Sequence, residues 1–298
     1  MNYNRLGKSD ILISEVGFGC MSLQRENKSQ NEFLIHKAIA SGINYFDTAD
    51  LYDFGENEKL LGTFLQSKRN KVVLATKVGN RWNSDKSSWT WDVSKEYIHQ
   101  AVDDSLTRLQ TDYIDLYQIH GGTIEDDFEE VVETLDNLVV KGKIRAYGIS
   151  SIRPNVFLRF VKYSNMVSNM MQMSLLDTRP ELYLPNVQEE NISILARGSF
   201  AQGLLVGKDA KSYLDHSEKQ LVSITQQVEN TSEQLEVSKE SIALAYLLKY
   251  KRITSALVGI RTSVHLDKSL LAIQELENLQ IDFDQWDIPK INYTEHIQ

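Results

Sequence analysis

Residues 44–52 read NYFDTADLY: a short apolar run, Tyr45 and Phe46, ends on the carboxylate of Asp47, and the phenol of Tyr52 follows in the loop beyond. Taken alone, such a pair is also what a turn-capping Asp and a packed Tyr would produce. Two later stretches change the reading. In VVLATK, residues 72–77, a strand-like run ends on Lys77, and in DYIDLYQIH, residues 112–120, another ends on His120. Three successive runs each finish on an ionisable side chain, so a fold that gathers strand ends would bring all three together.

Outward from this stretch, strand and helix patterns alternate. Before it lies a strand at 16–19, then a helix opened by a Ser29-x-x-Glu32 capping box and continued through Phe33, Leu34, Ala38 and Ile39. After it, a helix at 56–67 carries Leu60, Leu61, Phe64 and Leu65 on one face. A strand at 72–76 then precedes a helix marked by Ile98, Val102, Leu106 and Leu109. A strand at 113–119, a helix bearing Phe128, Val131, Val132, Leu135 and Leu138, and a strand at 144–149 follow. Pro154 suits a first helical turn. The rest reads as strands at 169–173, 192–196 and 254–258 and helices at 184–190 and 264–276, with an insertion at 211–250 holding helical patterns at 214–228 and 241–250. Ahead of everything, 3–6 and 11–14 are β-like and joined by Gly7-Lys8-Ser9-Asp10, which predicts a hairpin acting as a lid or plug.

Strands that alternate with helices pair in parallel through right-handed crossovers, which leaves an open doubly wound sheet or a closed barrel. Eight strand–helix units are the number that closes a barrel. Gly17-Phe18-Gly19-Cys20 lacks the third glycine of a dinucleotide-binding turn, which counts against the open sheet. The predicted fold is therefore α/β, a (β/α)8 TIM barrel with an N-terminal β-hairpin and extra helices near the C-terminal end, as a single domain over residues 1–298. Strand C-termini meet on one face of such a barrel, so Asp47, Lys77 and His120 would converge there.

Composition narrows the chemistry. With 298 residues, 42% of them hydrophobic and four of them proline, the chain suits one large globular core. The opening MNYNRLGKSD has no apolar core of a signal peptide, and no segment approaches the ~20 apolar residues of a membrane span, so a soluble, cytoplasmic protein is expected. A single cysteine, Cys20, excludes an internal disulfide framework and a cysteine-rich metal site. The net charge of −9 argues against nucleic acid or an anionic membrane as partner, and any bound anion must be captured locally.

Six segments, GINYFDTADLYDFGENEKLLG, VVLATKVG, DYIDLYQIHG, KIRAYGISS, ARGSFAQGLLVGK and VGIRTSVHL, occur in an order and at spacings that resemble the aldo-keto reductases. The resemblance implies a catalytic tetrad of Asp47, Tyr52, Lys77 and His120, an extended nicotinamide cofactor across the barrel mouth, and reduction of carbonyl substrates. The chemistry of these residues suits those roles. Hydride delivery to a carbonyl carbon builds negative charge on the oxygen, so a proton donor and a positive environment must be in place. Tyr52 would be the donor, and since a phenol titrates near ~10, a neighbouring Lys77 cation would help it release a proton. Asp47 would hold that cation in a buried ion pair, and His120 would orient the carbonyl.

The same resemblance places the cofactor. Gly19, Cys20 and Met21 would line its groove beside Asp47, and Ser150, Ser151 and Gln172 would meet the carboxamide. Arg197 stands where many members have a stacking Tyr, and its guanidinium can lie flat on a ring. Gly198, Ser199, Phe200, Gln202, Gly203 and Leu204 match the pyrophosphate loop. Gly259, Arg261, Thr262, His265, Lys268 and Ser269, after the last strand, match the adenosine end. The lack of an acidic residue there to grip a bare ribose 2′-hydroxyl, together with Arg261, favours NADPH over NADH. Ser199, Ser151, His265 and Ser269 replace the family's usual Pro, Asn, Gln and Asn, so contacts at those positions are expected to shift. Gly121-Gly122 after His120 are smaller than usual and would leave the loop after the fourth strand more mobile or the pocket more open. Phe54, Trp82, Trp89 and Trp91 are expected to rim the mouth, which suits aromatic or apolar aldehydes. Two other readings stay open, a cofactor-binding regulatory or sensing subunit and a lyase using Lys77 as a Schiff-base amine.

Overall fold

The strands are short and almost wholly buried, as parallel strands covered on both faces must be. In the computed structural model, β5 (Val73–Val78) and β8 (Ile114–Ile119) have no exposed residue. Eight strands close a parallel barrel in the order β10 (Ser168–Gln172), β11 (Ser193–Arg197), β12 (Ile253–Gly259), β3 (Val16–Gly19), β4 (Tyr45–Asp47), β5, β8 and β9 (Ile144–Ile149). The structure describes residues 1–23, 25–209, 212–288 and 290–291. Lys211, the expected start of the insertion, and residues 292–298 lie outside the described residues. Among the described residues, no helix is long and apolar enough to cross a membrane.

Alternation along each strand divides two apolar layers. Tyr45, Val73, Ala75, Leu116, Ala146, Met170, Leu195 and Leu257 fill the barrel interior. Phe18, Phe46, Leu74, Tyr117 and Met171 face outward, packing with helix residues such as Leu34, Leu61, Val102 and Leu135. The expected hairpin forms from β1 (Tyr3–Arg5) and β2 (Leu12–Ser14), paired antiparallel. Leu6, Ile11 and Ile13 from it join the interior cluster. The hairpin is thus a plug at the end of the barrel away from the strand C-termini.

Several boundaries differ from the expectation. Helix α1 (Lys28–Ala40) starts one residue before Ser29, with Asn27 at its N-cap, so the Ser29–Glu32 pair is not its capping box. The 3₁₀ turn Arg25–Asn27 runs straight into it. Helix α7 (Glu218–Leu235) begins later than 214, because the capping box of Ser217 and Gln220 sets its start. Leu214 instead sits at φ 51° in a turn closed by a Tyr213–His216 bridge. Helix α8 (Lys239–Leu248) likewise starts after its own cap, Ser238. A second hairpin, absent from the expected pattern, forms from β6 (Asn80–Trp82) and β7 (Trp89–Trp91), in which Trp82 faces Trp89 in register. Helix α9 (Ser263–Leu276) follows β12 as expected.

Candidate active site

The strand periodicity that fills the barrel also builds its mouth. Tyr45, Val73, Ala75 and Leu116 point inward, so two residues further along the same strands Asp47, Lys77 and Gln118 point inward as well. Register agrees: Gly19 lies opposite Asp47, Asp47 opposite Ala75, and Lys77 opposite Gln118. Lys77 is 1% exposed. Its ammonium donates to Oδ1 of Asp47 at 2.6 Å and to the Thr48 carbonyl at 2.7 Å. Gln118 donates Nε2–H to the other carboxylate oxygen at 3.2 Å. Gln118 was not anticipated, although its alternation with Leu116 and His120 in DYIDLYQIH could have revealed it.

Burial alone would pull the Lys77 ammonium down, but the adjacent Asp47 charge and Tyr52 more than offset it, and the lysine stays cationic. Above this pair sit Tyr52 and His120. The Lys77 ammonium lies 5.1 Å from the centroid of the Tyr52 ring. The Tyr52 and His120 rings are edge-on, 6.0 Å apart at 83°. Burial first, then the charges of Lys77 and Arg197, pull His120 down to about 3, so its imidazole is neutral at physiological pH. Its Nδ1 is buried with no hydrogen-bond partner among the described residues. The Asn80 amide holds the His120 carbonyl at 3.1 Å. All four residues of the expected tetrad therefore meet at one corner: a buried cation, a phenol against it, and a neutral imidazole facing the phenol.

Cys20 is buried beside this corner. Burial, then the nearby Asp47 charge, pushes its thiol well above the usual range, so it is a neutral neighbour and not a nucleophile. Met21 beyond it is 66% exposed.

On the other side of β3, Gly259 lies opposite Gly19 in register, and among the described residues a Cβ added at Gly259 would meet nothing within 4 Å. Ser150 follows β9 at an intermediate depth, while Ser151 is buried, its N–H bonded to Asn169 at 3.2 Å. Gln172 is fully engaged by protein. Its amide donates to Asp177 at 3.0 Å and to the Tyr213 hydroxyl at 3.2 Å, and its carbonyl accepts from Arg197 at 3.0 Å. Tyr213 was not foreseen, since it comes from the loop after β11, beyond the matched motif.

The segment after Arg197 is a tight coil. Ala201, Gln202 and Gly203 all have positive φ, with the N–H groups of Ala201 and Gly203 turned back to Gly198 and Phe200. Ser199 is buried with its hydroxyl on the Leu257 carbonyl at 2.9 Å, and Leu204 is buried beside it. At the start of α9, Thr262 caps the helix by accepting from the His265 N–H, and Arg261 and His265 are exposed. Ser269 is buried and bonds back to the His265 carbonyl at 2.9 Å. Lys268 is turned toward Glu240 at 3.3 Å, so its ammonium is already matched by a protein carboxylate.

The aromatic residues of the rim divide into two groups. Phe54 and Trp82 pack with centroids 4.5 Å apart, and Trp89 stays half exposed. Trp91 is anchored to Asp126 at 2.8 Å and lies over two glycines beside His120: a Cβ at Gly79 would come within 2.5 Å of its ring and one at Gly121 within 3.3 Å. The space left by Gly121 is thus partly filled by Trp91.

Residues 15–288 match the model of the aldo/keto reductase family. The chain is 47% identical over 281 residues to the "Uncharacterized oxidoreductase YqkF" of Bacillus subtilis (strain 168), covering 91% of both chains. Its fold superposes on the holo form of aldo-keto reductase AKR11C1 from Bacillus halodurans with a TM-score of 0.91, 40% identity and full coverage of both chains. The apo form of that protein gives 0.79 at 37% identity, over 95% of this chain and 93% of that one. With the barrel, the inward-pointing ion pair and these likenesses together, the chain belongs to the aldo/keto reductase family, a family of oxidoreductases.

Proposed function

We propose that the protein reduces aldehydes or ketones to alcohols with NADPH, with Tyr52 as general acid. The observation that carries this reading is the buried Lys77–Asp47 pair at 2.6 Å placed under the Tyr52 ring. A cation there stabilises the phenolate that forms as the phenol gives up its proton, and Asp47 and the Thr48 carbonyl hold the cation in place. His120, being neutral, acts through a hydrogen bond that orients and polarises the carbonyl oxygen, and it adds no charge of its own. Gln118 restrains the second oxygen of Asp47 and so the direction of the pair.

The residues present suit a dinucleotide. Open space over Gly259 beside Gly19 leaves room for an extended group along the mouth. Ser150, Gln172 and Arg197 would meet the nicotinamide end once Gln172 exchanges part of its present bonding. Residues 198–204 would meet the pyrophosphate. Arg261, Thr262 and His265, at the positive end of α9, would meet the adenosine and its 2′-phosphate. When bound, the reduced nicotinamide supplies the hydride. The solvated guanidinium of Arg261 supports NADPH, and Lys268, half exposed and paired with Glu240, would assist only by exchanging that partner. Phe54, Trp82, Trp89 and Trp91 favour apolar carbonyl compounds, and the single protonated thiol suits a cytoplasmic setting.

The test is absorbance-followed NADPH consumption against a panel of aldehydes, ketones and sugars. Sustained multiple turnovers on apolar carbonyls are expected. A flat panel with tight NADPH binding would instead support the cofactor-binding regulatory or sensing role.

A further inference from the structure

The segment that carries Tyr52 adopts a backbone that L-amino acids avoid. Asp53 (φ 51°), Phe54 (φ 57°) and Gly55 (φ 82°) are left-handed in succession. For the two non-glycine residues this is unfavourable, and it persists only where surrounding contacts impose it. Those contacts come from two sides. From the segment after β3, Arg25 donates from Nη2 to Oδ1 of Asp53 at 2.8 Å and to the Asp53 carbonyl at 3.0 Å, while its Nε meets Oδ2. From the β6–β7 hairpin, Trp82 donates Nε1–H to the Leu51 carbonyl at 3.1 Å and packs on Phe54. Both chain neighbours of Tyr52 are therefore tethered, one from each side of the mouth. Gly55 closes the turn against Arg108, whose Cδ would lie 2.8 Å from an added Cβ.

An ion pair whose side chains are 44% and 40% exposed stabilises a fold little. A guanidinium fork that grips both the carboxylate and the backbone carbonyl of one residue is better suited to fixing that residue's orientation. The clasp also spans two loops with different duties, since Arg25 lies just beyond Gly19, Cys20 and Met21 in the expected cofactor groove. We propose that Arg25 is a positioning residue: its clasp on Asp53, opposed by Trp82 on Leu51, holds the Tyr52 phenol at the Lys77–His120 corner and ties it to the cofactor-facing segment. This rests on the reading of Tyr52 as the proton donor.

The test compares Arg25→Ala, Arg25→Lys and Trp82→Phe with the parent in steady-state turnover and in amide hydrogen exchange over residues 51–55. Displacement of a reacting group by about 1 Å lowers turnover about 100-fold. Arg25→Ala should therefore lose about 10- to 100-fold in kcat, with KM and NADPH affinity close to the parent's and exchange over 51–55 accelerated. Added guanidinium ion should restore part of the Arg25→Ala activity and none in Tyr52→Phe. Arg25→Lys keeps the charge but not the fork, so its kcat should stay low. Trp82→Phe should accelerate the same amides. Parent-like kcat in Arg25→Ala overturns the proposal, as does unchanged exchange, or a loss of activity that tracks a lowered melting temperature and is not rescued by guanidinium. A parent that turns over no carbonyl would defeat the proton-donor reading and, with it, the catalytic half of this proposal. Exchange in parent and variant would still report whether Arg25 orders the segment, so the two failures are distinguishable.

Discussion

At the ends of β4, β5 and β8 the polar groups are buried and bond to one another, whereas at the ends of β10 and β11 and in the loops after β11 and β12 they are open to solvent. Asp47, Lys77 and Gln118 are buried and joined by hydrogen bonds. Arg197, Gln202 and Arg261 are exposed, and Gln172 is held by side chains that a ligand would have to displace. On the proposed reading, the contrast suits the part given to each side. A proton donor needs a fixed, water-poor setting in which a cation acts at full strength. A large ligand that enters and leaves needs groups it can reach.

The difference predicts two kinds of loss. Substitutions on the buried side should lower turnover, and those on the exposed side should lower affinity. Tyr52→Phe is expected to show the largest effect, a fall in kcat of about 10²–10⁴-fold with NADPH affinity nearly unchanged by fluorescence titration. Turnover close to the parent's would remove Tyr52 from its role. Lys77→Met should also slow turnover severely and, by stranding the Asp47 carboxylate in the interior, destabilise the protein by about 3–5 kcal/mol in urea unfolding. Asp47→Asn should be milder, because the Thr48 carbonyl still accepts from Lys77. The order reversed would show that the carboxylate, not the cation, does the tuning.

On the other side, Arg261→Ala should weaken NADPH binding by roughly 10- to 150-fold, the range of a charge-assisted hydrogen bond, and leave NADH binding almost untouched. Equal weakening of both cofactors would mean that Arg261 does not read the 2′-phosphate. The smallest effect is expected for Lys268→Ala, whose ammonium already faces Glu240. NADPH titration should hardly distinguish it from the parent.

Acid offers a different probe of the buried side. His120 titrates at about 3, below the ordinary 6.5 that it regains on unfolding, because burial and then Lys77 and Arg197 oppose its charge. A depressed histidine contributes stability that is present above pH 6.5 and lost as pH falls toward 3. Chemical denaturation across that window should show stability declining with acid, and less steeply in His120→Asn. Identical slopes would place His120 in contact with solvent.

The same division governs how far the sequence could be read. Asp47, Lys77 and His120 were legible because each ends an apolar strand, and a barrel brings strand ends together whatever the loops do. Gln118 was legible in principle by the same alternation. The loops were not. The β6–β7 hairpin rests on strands of three residues each, too short for any period to show. Arg25 and Asp53 meet across 28 positions through two loops, and nothing in either loop's pattern announces the other. Lys268 and Ser269 come just after the matching VGIRTSVHL segment, and their partners are chosen by the neighbouring α8 and by helix backbone, which a motif does not display.

The plug beneath the barrel has a consequence for the order in which the chain matures. Its residues leave the ribosome well before their partners: the Asn4 amide bonds to the Thr254 carbonyl, 250 positions away, and the Gly7 N–H to the Ser193 hydroxyl, 186 positions away. Such distant pairings form late, because the intervening chain must already be closed into a ring. The hairpin is therefore made before the strands that seat it, and until they close, Leu6, Ile11 and Ile13 are apolar groups without a pocket, the stretch a chaperone would be expected to hold.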